Sequence, residues 1–197
     1  MQQPLIIGIT GGIGSGKSTL AEKLRAEGYA VYDSDKEARR LQNEHPGIVQ
    51  PLKELFGSDI YTDHDLNRPA LAKIVFGKKE LLSQLNNIVH PIVKEDFTNW
   101  KADRSSHRLL FIESAILFES GFNALVNKII VITASEEVRI KRVVKRDGAC
   151  SEQVRARMAN QLPEDVKIKQ ADFVIHSDDE KPLIDKMHKI LSQLQTT

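Results

Sequence analysis

Residues 11–18 are Gly11-Gly12-Ile13-Gly14-Ser15-Gly16-Lys17-Ser18, and they indicate the fold more strongly than any other part of the chain. It fits the pattern Gly-x-x-x-x-Gly-Lys-Ser/Thr, it follows an apolar run at 5–10, and a stretch of helical composition starts at Thr19. A strand, a glycine-rich loop and a helix in that order are the context in which this pattern binds phosphate. Glycines let successive backbone N–H groups turn towards one anion, and the helix start adds its own N–H groups and dipole. The sequence therefore predicts a P-loop that binds a nucleoside triphosphate.

Two side chains of this loop have distinct expected roles. Lys17 supplies a mobile cation for the β- and γ-phosphates, and Ser18 offers its hydroxyl to Mg²⁺. Backbone N–H groups of residues 12–18 are expected to supply most of the other contacts. The further nucleotide-binding candidates in this stretch are Gly12, Ile13, Gly14, Ser15, Gly16 and Thr19. The predicted cofactors are thus ATP and Mg²⁺.

Composition limits the class of protein. A length of 197 residues suits one α/β domain with insertions, and 28 basic against 27 acidic residues give no field that favours nucleic acid or an anionic membrane. The single cysteine, Cys150, excludes an internal disulfide and suits a reducing compartment. We expect no targeting segment, because the first residues of the sequence do not show a basic stretch followed by a long apolar one, and no run of about 18 apolar residues predicts a membrane span. We therefore expect a cytoplasmic protein, a monomer or weak homo-oligomer, without nucleic-acid or membrane partners.

Continuous apolar runs predict buried parallel strands, because such strands are covered by helices on both faces. These runs lie at 5–10, 30–32, 109–112, 129–133 and, more weakly, 173–175. A helix of about ten residues that ends at Gly28 separates the first two runs, which is the spacing of a βαβ unit. The predicted fold is a three-layer α/β/α core with a five-stranded parallel sheet.

Between 36 and about 107 the sequence contains no convincing strand. The predicted helices of this region are 36–44, 47–56, 69–76, 78–89 and 91–104. Pro69 and Pro91 suit a first helical turn, and Ser34 and Asn67 could help start helices. Because this is far more helix than a crossover needs, we predict a helical insertion over the carboxyl edge of the sheet, where open α/β sheets bind ligands.

A basic segment follows the fourth predicted strand. The helix at 136–147 carries Arg139, Arg142 and Arg146 on one face, and a helix at 151–161 adds Arg155 and Arg157. Guanidinium groups on a mobile lid can stabilise the charge of phosphoryl transfer, although such a face can also be merely solvated. A last packing helix is predicted at 180–195. The predicted division is a nucleotide-binding core of 1–35, 108–135 and 166–197, a helical substrate domain of 36–107 and a lid of 136–165.

Among the classes of protein that contain a P-loop, the sequence favours a small kinase. Asn127-Lys128 lacks the aspartate that a guanine-binding motif needs, and a chain of 197 residues leaves little room for a motor or transport ATPase, even though Glu113 follows a strand. Asp33 and Asp35 follow the second strand and can divide proton acceptance and the ordering of Mg²⁺-bound water. The alternative is that one of them only caps the next helix. His90 could mark a helix junction or contact the substrate.

Short motifs along the chain carry a family resemblance. In order they are Ile9-Thr10-Gly11-Gly12-Ile13-Gly14-Ser15-Gly16-Lys17-Ser18-Thr19, Asp33-Ser34-Asp35, Asn67-Arg68-Pro69-Ala70-Leu71 before Phe76, Val89-His90-Pro91-Ile92, Leu117-Phe118-Glu119, Lys145-Arg146-Asp147-Gly148, Arg155-Ala156-Arg157-Met158-Ala159-Asn160-Gln161 and Ala171-Asp172-Phe173-Val174-Ile175. Together they resemble the dephospho-coenzyme A kinase family from residue 6 to 176. The sequence departs from the family pattern at Ala115-Ile116-Leu117, usually Pro-Leu-Leu, and at Ile175-His176-Ser177, often Ile-Asp-Asn.

The resemblance implies transfer of the γ-phosphate of ATP·Mg²⁺ to the ribose 3′-hydroxyl of dephospho-coenzyme A, a small-molecule substrate. It makes Asp35 the preferred general base with Asp33 beside it, and it places Arg142 and Arg146 in the lid. The predicted catalytic residues are thus Asp35, Asp33, Lys17 and Arg142, and Arg142 and Arg146 are also nucleotide-binding candidates. The substrate-binding candidates are Asp35, Arg68, His90, Thr10 and Glu113.

Two alternatives remain at this point. A kinase of the same fold could act on a nucleoside monophosphate, because a shared core does not determine the substrate. A non-catalytic module could bind ATP without forming a product, but it would leave the paired aspartates and the arginines without a role.

Overall fold

The computed structural model describes residues 3–63, 65–178 and 182–195, and most of them lie in strands and helices. The strands are β1 (Leu5–Thr10), β2 (Ala30–Asp33), β3 (Tyr61–Thr62), β4 (Asp65–Leu66), β5 (Leu109–Glu113), β6 (Lys128–Thr133) and β7 (Phe173–His176). The α-helices are α1 (Lys17–Ala26), α2 (Ser34–Glu44), α3 (Pro46–Phe56), α4 (Arg68–Val75), α5 (Lys79–Ala102), α6 (Glu136–Asp147), α7 (Ser151–Ala159), α8 (Glu164–Lys169) and α9 (Leu183–Gln195).

The chain divides into two compact units. The core unit comprises the segments up to Tyr32 and from Arg104 onwards, and the helical unit comprises Asp33–Asp103. Within the described residues, no helix is both long and apolar enough to span a membrane.

A five-stranded sheet in the order β2-β5-β1-β6-β7 organises the core unit. β1 lies at its centre and pairs in parallel with β5 and with β6, and β6 pairs in parallel with β7. The α/β class and the five strands predicted from the sequence are therefore confirmed. The order also brings the ends of β1 and β5 side by side, with Ile9 opposite Glu113.

Alternate residues of β1 face different layers, as expected for a strand. Ile7 and Ile9 are fully buried in a cluster with Leu20 and Leu24 of α1 and with apolar residues of α9. On the opposite face, a Cβ added at Gly8 would lie 2.9 Å from a methyl group of Leu117. The strand that precedes the P-loop is thus packed on both faces. The described start of α9 is Leu183, and the start predicted at 180 lies outside the described residues.

The helical unit corrects two sequence-based expectations. β3 and β4 form a two-stranded antiparallel sheet in the region where no strand was expected. The helices predicted at 78–89 and 91–104 are one continuous helix, α5, with Pro91 inside it. A proline removes a backbone hydrogen bond from a helix. Here Val89, Val93 and Phe97 form one buried stripe that runs past the proline, and this packing stabilises the uninterrupted helix.

The first residues of two helices are capped by side chains. The Asn67 carboxamide accepts a hydrogen bond of 3.1 Å from the backbone N–H of Ala70, so its predicted role in starting α4 is confirmed. At α2 the capping residue is Asp33 rather than Ser34. The Asp33 carboxylate accepts a 2.9 Å hydrogen bond from the backbone N–H of Lys36, and Ser34 is the first helical residue. An aspartate at this position also interacts favourably with the positive end of the helix dipole.

Candidate active site

The P-loop connects the end of β1 to the start of α1. Gly14 and Gly16 have φ values of 79° and 103°, a left-handed backbone that residues with a side chain rarely adopt. The backbone N–H of Ser15 donates to the carbonyl of Gly12 at 3.1 Å and closes the turn. Gly16 then precedes α1 without a capping side chain. Since the first N–H groups of a helix have no partner within it, this geometry leaves backbone donors to bind an anion.

Two predicted site residues begin α1. Lys17 is the first helical residue and is only 7% exposed, so its side chain is largely removed from solvent. The hydroxyl of Ser18 donates a hydrogen bond of 2.9 Å to Glu113 Oε1. Glu113 ends β5 and is buried. Thr10, which ends β1, is also buried, and among the described residues its hydroxyl has no hydrogen-bond partner.

The Ser18–Glu113 pair has the donor chemistry that Mg²⁺ prefers. Mg²⁺ in nucleotide sites takes oxygen ligands, usually one or two from the protein with the rest from phosphates and water. A serine hydroxyl at the start of α1 and a carboxylate within hydrogen-bond distance supply such oxygens. The residues present therefore fit a magnesium ion that accompanies the nucleotide.

Gln161, for which the sequence predicted no role, contacts the P-loop. The backbone N–H of Ile13 donates to Gln161 Oε1 at 2.9 Å, and Gln161 Nε2 donates to the carbonyl of Ala115 at 3.4 Å. Gln161 lies in the segment between α7 and α8. The carboxamide oxygen thus binds a backbone donor of the kind that phosphate oxygens use. Its position at the end of the Arg155–Gln161 motif was the only sequence signal, and that signal did not specify a contact.

Arg139 also lies against the loop, whereas the sequence predicted it only as part of a basic helix face. Its guanidinium occupies the space beside Gly12 that a Cβ would need, and its carbonyl oxygen would lie 2.5 Å from a Cβ at Gly14. Arg139 Nη1 pairs with Glu164 Oε2 at 2.5 Å. Glycine at these two positions therefore lets α6 approach the P-loop closely.

Arg142 connects the P-loop to the loop after β7. Its Nη1 donates to Ser177 Oγ at 2.8 Å and to the carbonyl of Gly14 at 3.3 Å, and its Nη2 donates to the carbonyl of Ser177 at 2.6 Å. The Ser177 hydroxyl in turn donates to the carbonyl of Ser15 at 2.7 Å. Ser177 lies in one of the two segments where the sequence departs from the family pattern. Its hydrogen bonds to Arg142 and Ser15 therefore help to hold the P-loop in place.

The structure gives Arg146 a different environment. Its guanidinium pairs with Asp147 at 2.7 Å, and Arg157 pairs with the same carboxylate at 3.0 Å. Hydrogen bonds from Arg146 and then from Arg157 lower the pKa of Asp147 below its ordinary value. The Arg146 side chain is 61% exposed. Its predicted contact with the nucleotide stays a prediction.

The helical unit contains the other predicted residues. Asp33 caps α2, and Asp35 is a half-buried residue in its first turn. Arg68 Nη2 donates to the carbonyl of Arg39 at 2.8 Å and to Asn43 Oδ1 at 3.3 Å, which ties the start of α4 to α2. His90 is half-buried on α5, and burial, followed by the nearby Lys94, lowers the pKa of its imidazole.

The chain is similar to known proteins over nearly its whole length. The family model for dephospho-CoA kinase matches residues 5–182. A dephospho-CoA kinase from Porphyromonas gingivalis is 42% identical over 193 residues, which cover 98% of this chain and 95% of the relative. A crystal structure from Thermus thermophilus has 35% sequence identity and a TM-score of 0.84, and the match covers 99% of this chain and 98% of the other. The structure of dephospho-CoA kinase from Campylobacter jejuni has 27% identity and a TM-score of 0.67, with 96% and 95% of the two chains covered. With its P-loop, its five-stranded sheet and these relatives, the chain belongs to the dephospho-CoA kinase family.

Proposed function

We propose that the protein phosphorylates dephospho-coenzyme A by direct transfer from ATP, with the P-loop as the phosphate site and Asp35 as the proton acceptor. The activity itself, ATP-dependent and the last step of coenzyme A synthesis, follows from membership of the family. The observation that carries the nucleotide site is the loop between β1 and α1, with Lys17 and Ser18 at the helix start. We further propose that the protein works in the cytoplasm, as a monomer or weak homo-oligomer, on this small-molecule substrate and not on nucleic acid.

The nucleotide is proposed to bind through the P-loop. Backbone N–H groups of residues 12–18 bind the phosphate oxygens. The Lys17 ammonium group neutralises the negative charge that develops on the transferring phosphoryl group. The proposed contacts in this stretch are Gly12, Ile13, Gly14, Ser15, Gly16, Lys17, Ser18 and Thr19. Arg142 acts beside them, since its guanidinium already contacts the Gly14 carbonyl. Arg146 is the second proposed lid arginine.

Ser18 and Glu113 would hold the magnesium ion that accompanies ATP. The Ser18 hydroxyl is the direct ligand, and the Glu113 carboxylate orients it by accepting its proton in a hydrogen bond. When bound, Mg²⁺ neutralises charge on the β- and γ-phosphate oxygens. The buried position of Glu113 favours this role, because a carboxylate with few solvent contacts is oriented by the groups around it.

The proposed reaction transfers one proton and one phosphoryl group. The ribose 3′-hydroxyl gives its proton to the Asp35 carboxylate while its oxygen forms a bond to the γ-phosphorus of ATP. The bond from the γ-phosphorus to the β–γ bridging oxygen breaks, and ADP leaves. Asp33, which caps α2, is proposed to keep the start of that helix, and therefore Asp35, in place. Arg68, His90 and Thr10 are proposed substrate contacts.

Measurement of ADP release with ATP·Mg²⁺ and dephospho-coenzyme A tests this function. AMP, CMP and adenosine serve as competing acceptors, and mass spectrometry with phosphorus NMR locates the new phosphate. We expect rapid turnover with dephospho-coenzyme A alone and a 3′-phosphorylated product. The Lys17→Met substitution should abolish this turnover. Turnover confined to a nucleotide acceptor would overturn the assignment of the substrate.

A further inference from the structure

The Arg139 guanidinium is a buried cation at the surface of the P-loop. Arg139 is 9% exposed, and its Nη1 fills the space beside Gly12 that a methyl group would otherwise take. Glu164 Oε2 lies beside the same glycine, 2.8 Å from where its Cβ would be. The charged ends of both side chains are therefore next to the phosphate-binding backbone.

The pairing of these two groups is incomplete. Arg139 Nη1 and Glu164 Oε2 are 2.5 Å apart. Among the described residues, however, the buried atoms Arg139 Nε and Glu164 Oε1 have no hydrogen-bond partner. A buried guanidinium is costly when its donors are not all used, because it has lost its water. Arg139 therefore retains a donor for a second anionic partner.

The position of Glu164 depends on contacts made by its own segment. Glu119 Oε1 accepts a 2.8 Å hydrogen bond from the backbone N–H of Leu162, and it lies 3.7 Å from the ammonium group of Lys167, which is fully buried. Gln161 contacts the backbone N–H of Ile13. Glu164, between Leu162 and Lys167, thus belongs to a segment that contacts Glu119 and the P-loop backbone, whereas Arg139 belongs to α6.

We propose that Arg139 is a further phosphate-binding residue of the ATP site and that Glu164 is its exchangeable counter-ion. This inference rests on the proposed function. Bound triphosphate takes over the guanidinium from the Glu164 carboxylate, because a guanidinium fork matches phosphate oxygens and the triphosphate carries more charge than one carboxylate. Glu164 then opposes nucleotide binding in two ways: it competes for Arg139, and its own charge repels the phosphates.

The two residues are therefore expected to affect ATP affinity in opposite directions. Arg139→Met removes an attractive charge and should raise the Kd for ATP about tenfold or more. Glu164→Gln keeps the shape but removes the competing charge, and it should lower the Kd about threefold or more. In the double variant the gain from Glu164→Gln should shrink to the part that comes from direct repulsion of the phosphates, since no guanidinium remains to be released.

The test is calorimetric titration of these variants of the full chain with ATP·Mg²⁺. Lys141→Met, an exposed cation on α6, and Glu137→Gln, an exposed acid of the same helix, are matched controls for net charge and should change the Kd less than about twofold. Thermal unfolding without nucleotide measures any structural effect separately. If Arg139→Met does not fold, Arg139→Lys replaces it, and it should retain part of the affinity while Glu164→Gln is tested independently.

A purely structural ion pair predicts a different pattern. Both single variants would then unfold at lower temperature, and neither would bind ATP more tightly. An unchanged or raised Kd in Glu164→Gln therefore overturns the proposal, as does an unchanged Kd in folded Arg139→Met. Turnover of dephospho-coenzyme A by the unaltered protein is measured in the same preparation. Absence of this turnover would contradict the proposed function. Normal turnover together with unchanged Kd values for ATP in the variants would contradict only the role of Arg139 and Glu164.

Discussion

The Ser18 hydroxyl donates a hydrogen bond of 2.9 Å to the Glu113 carboxylate and so joins the first turn of α1 to the last residue of β5. The two residues are 95 positions apart in the chain. They meet because β5 pairs with β1, the strand that leads into the P-loop. The hydrogen bond directs the proton of Ser18 towards Glu113, so a lone pair of the hydroxyl oxygen is available to a cation.

The Glu113→Gln variant should therefore need more magnesium. The amide keeps the size of the side chain but loses the charge that orients Ser18, and loss of such a partner typically weakens a metal site about 10- to 100-fold. We expect the Mg²⁺ concentration at half-maximal rate to rise by about that factor, measured in the coupled ADP assay at saturating ATP. Glu22→Gln, an exposed change on α1, is the control. An unchanged magnesium requirement would contradict the proposed role.

Substitution of each of the two aspartates at the start of α2 by asparagine should affect kcat differently. Asp35→Asn removes the proposed proton acceptor and should lower kcat about 10²- to 10⁴-fold with little change in the Kd for ATP. Asp33→Asn should be milder, because asparagine caps a helix about as well as aspartate. Single-turnover kinetics with dephospho-coenzyme A measure the rate of phosphoryl transfer in each of the two variants. Near-normal turnover in Asp35→Asn would exclude Asp35 as the base.

Helix capping by Asp33 has its own stability prediction. Asp33→Ala removes the acceptor of the Lys36 N–H and should lower the free energy of unfolding by about 1 kcal/mol. Asp33→Asn should restore most of that loss in urea unfolding. If alanine and asparagine were equally destabilising, the charge of Asp33 and not its cap would be the relevant property.

The P-loop could be predicted from the sequence because its determinants are local. Its glycine pattern and the apolar run before it lie within a few residues, and β1 has the predicted bounds. α5 could not be predicted in the same way. Pro91 is a local signal for a helix start, but the buried stripe of Val89, Val93 and Phe97 outweighs it. Packing against other helices is not visible in a local pattern.

The side-chain contacts that hold the P-loop in place also could not be predicted from the sequence. Ile13 and Gln161 form a hydrogen bond across 148 residues, and Arg139 and Glu164 pair between separate helices. Helical spacing correctly puts Arg139 and Arg142 on neighbouring positions of α6, yet it gives no information on what each guanidinium meets. In the structure Arg139 meets Glu164, and Arg142 meets Ser177.

The Arg142–Ser177 contact should couple the P-loop to the loop after β7. Arg142→Met removes the hydrogen bonds to Gly14 and Ser177, whereas Ser177→Ala leaves the Ser177 carbonyl as an acceptor. We therefore expect Arg142→Met to raise the KM for ATP about tenfold and Ser177→Ala to raise it less. A double-mutant cycle on the free energy of unfolding should give a coupling of about 1 kcal/mol. Additive effects would show that the contact does not contribute to stability.

His90 should make the stability of the protein depend on pH. Burial, and then Lys94, lower the pKa of the folded imidazole, so between that pKa and the ordinary value of about 6.5 the unfolded chain binds more protons than the folded one. Stability from the neutral imidazole is therefore complete above about pH 6.5 and is lost as the pH falls towards the folded pKa. Urea midpoints at about pH 5 and pH 7.5 should differ more in the unaltered protein than in His90→Gln. Equal differences in the two proteins would mean that His90 does not account for this pH dependence.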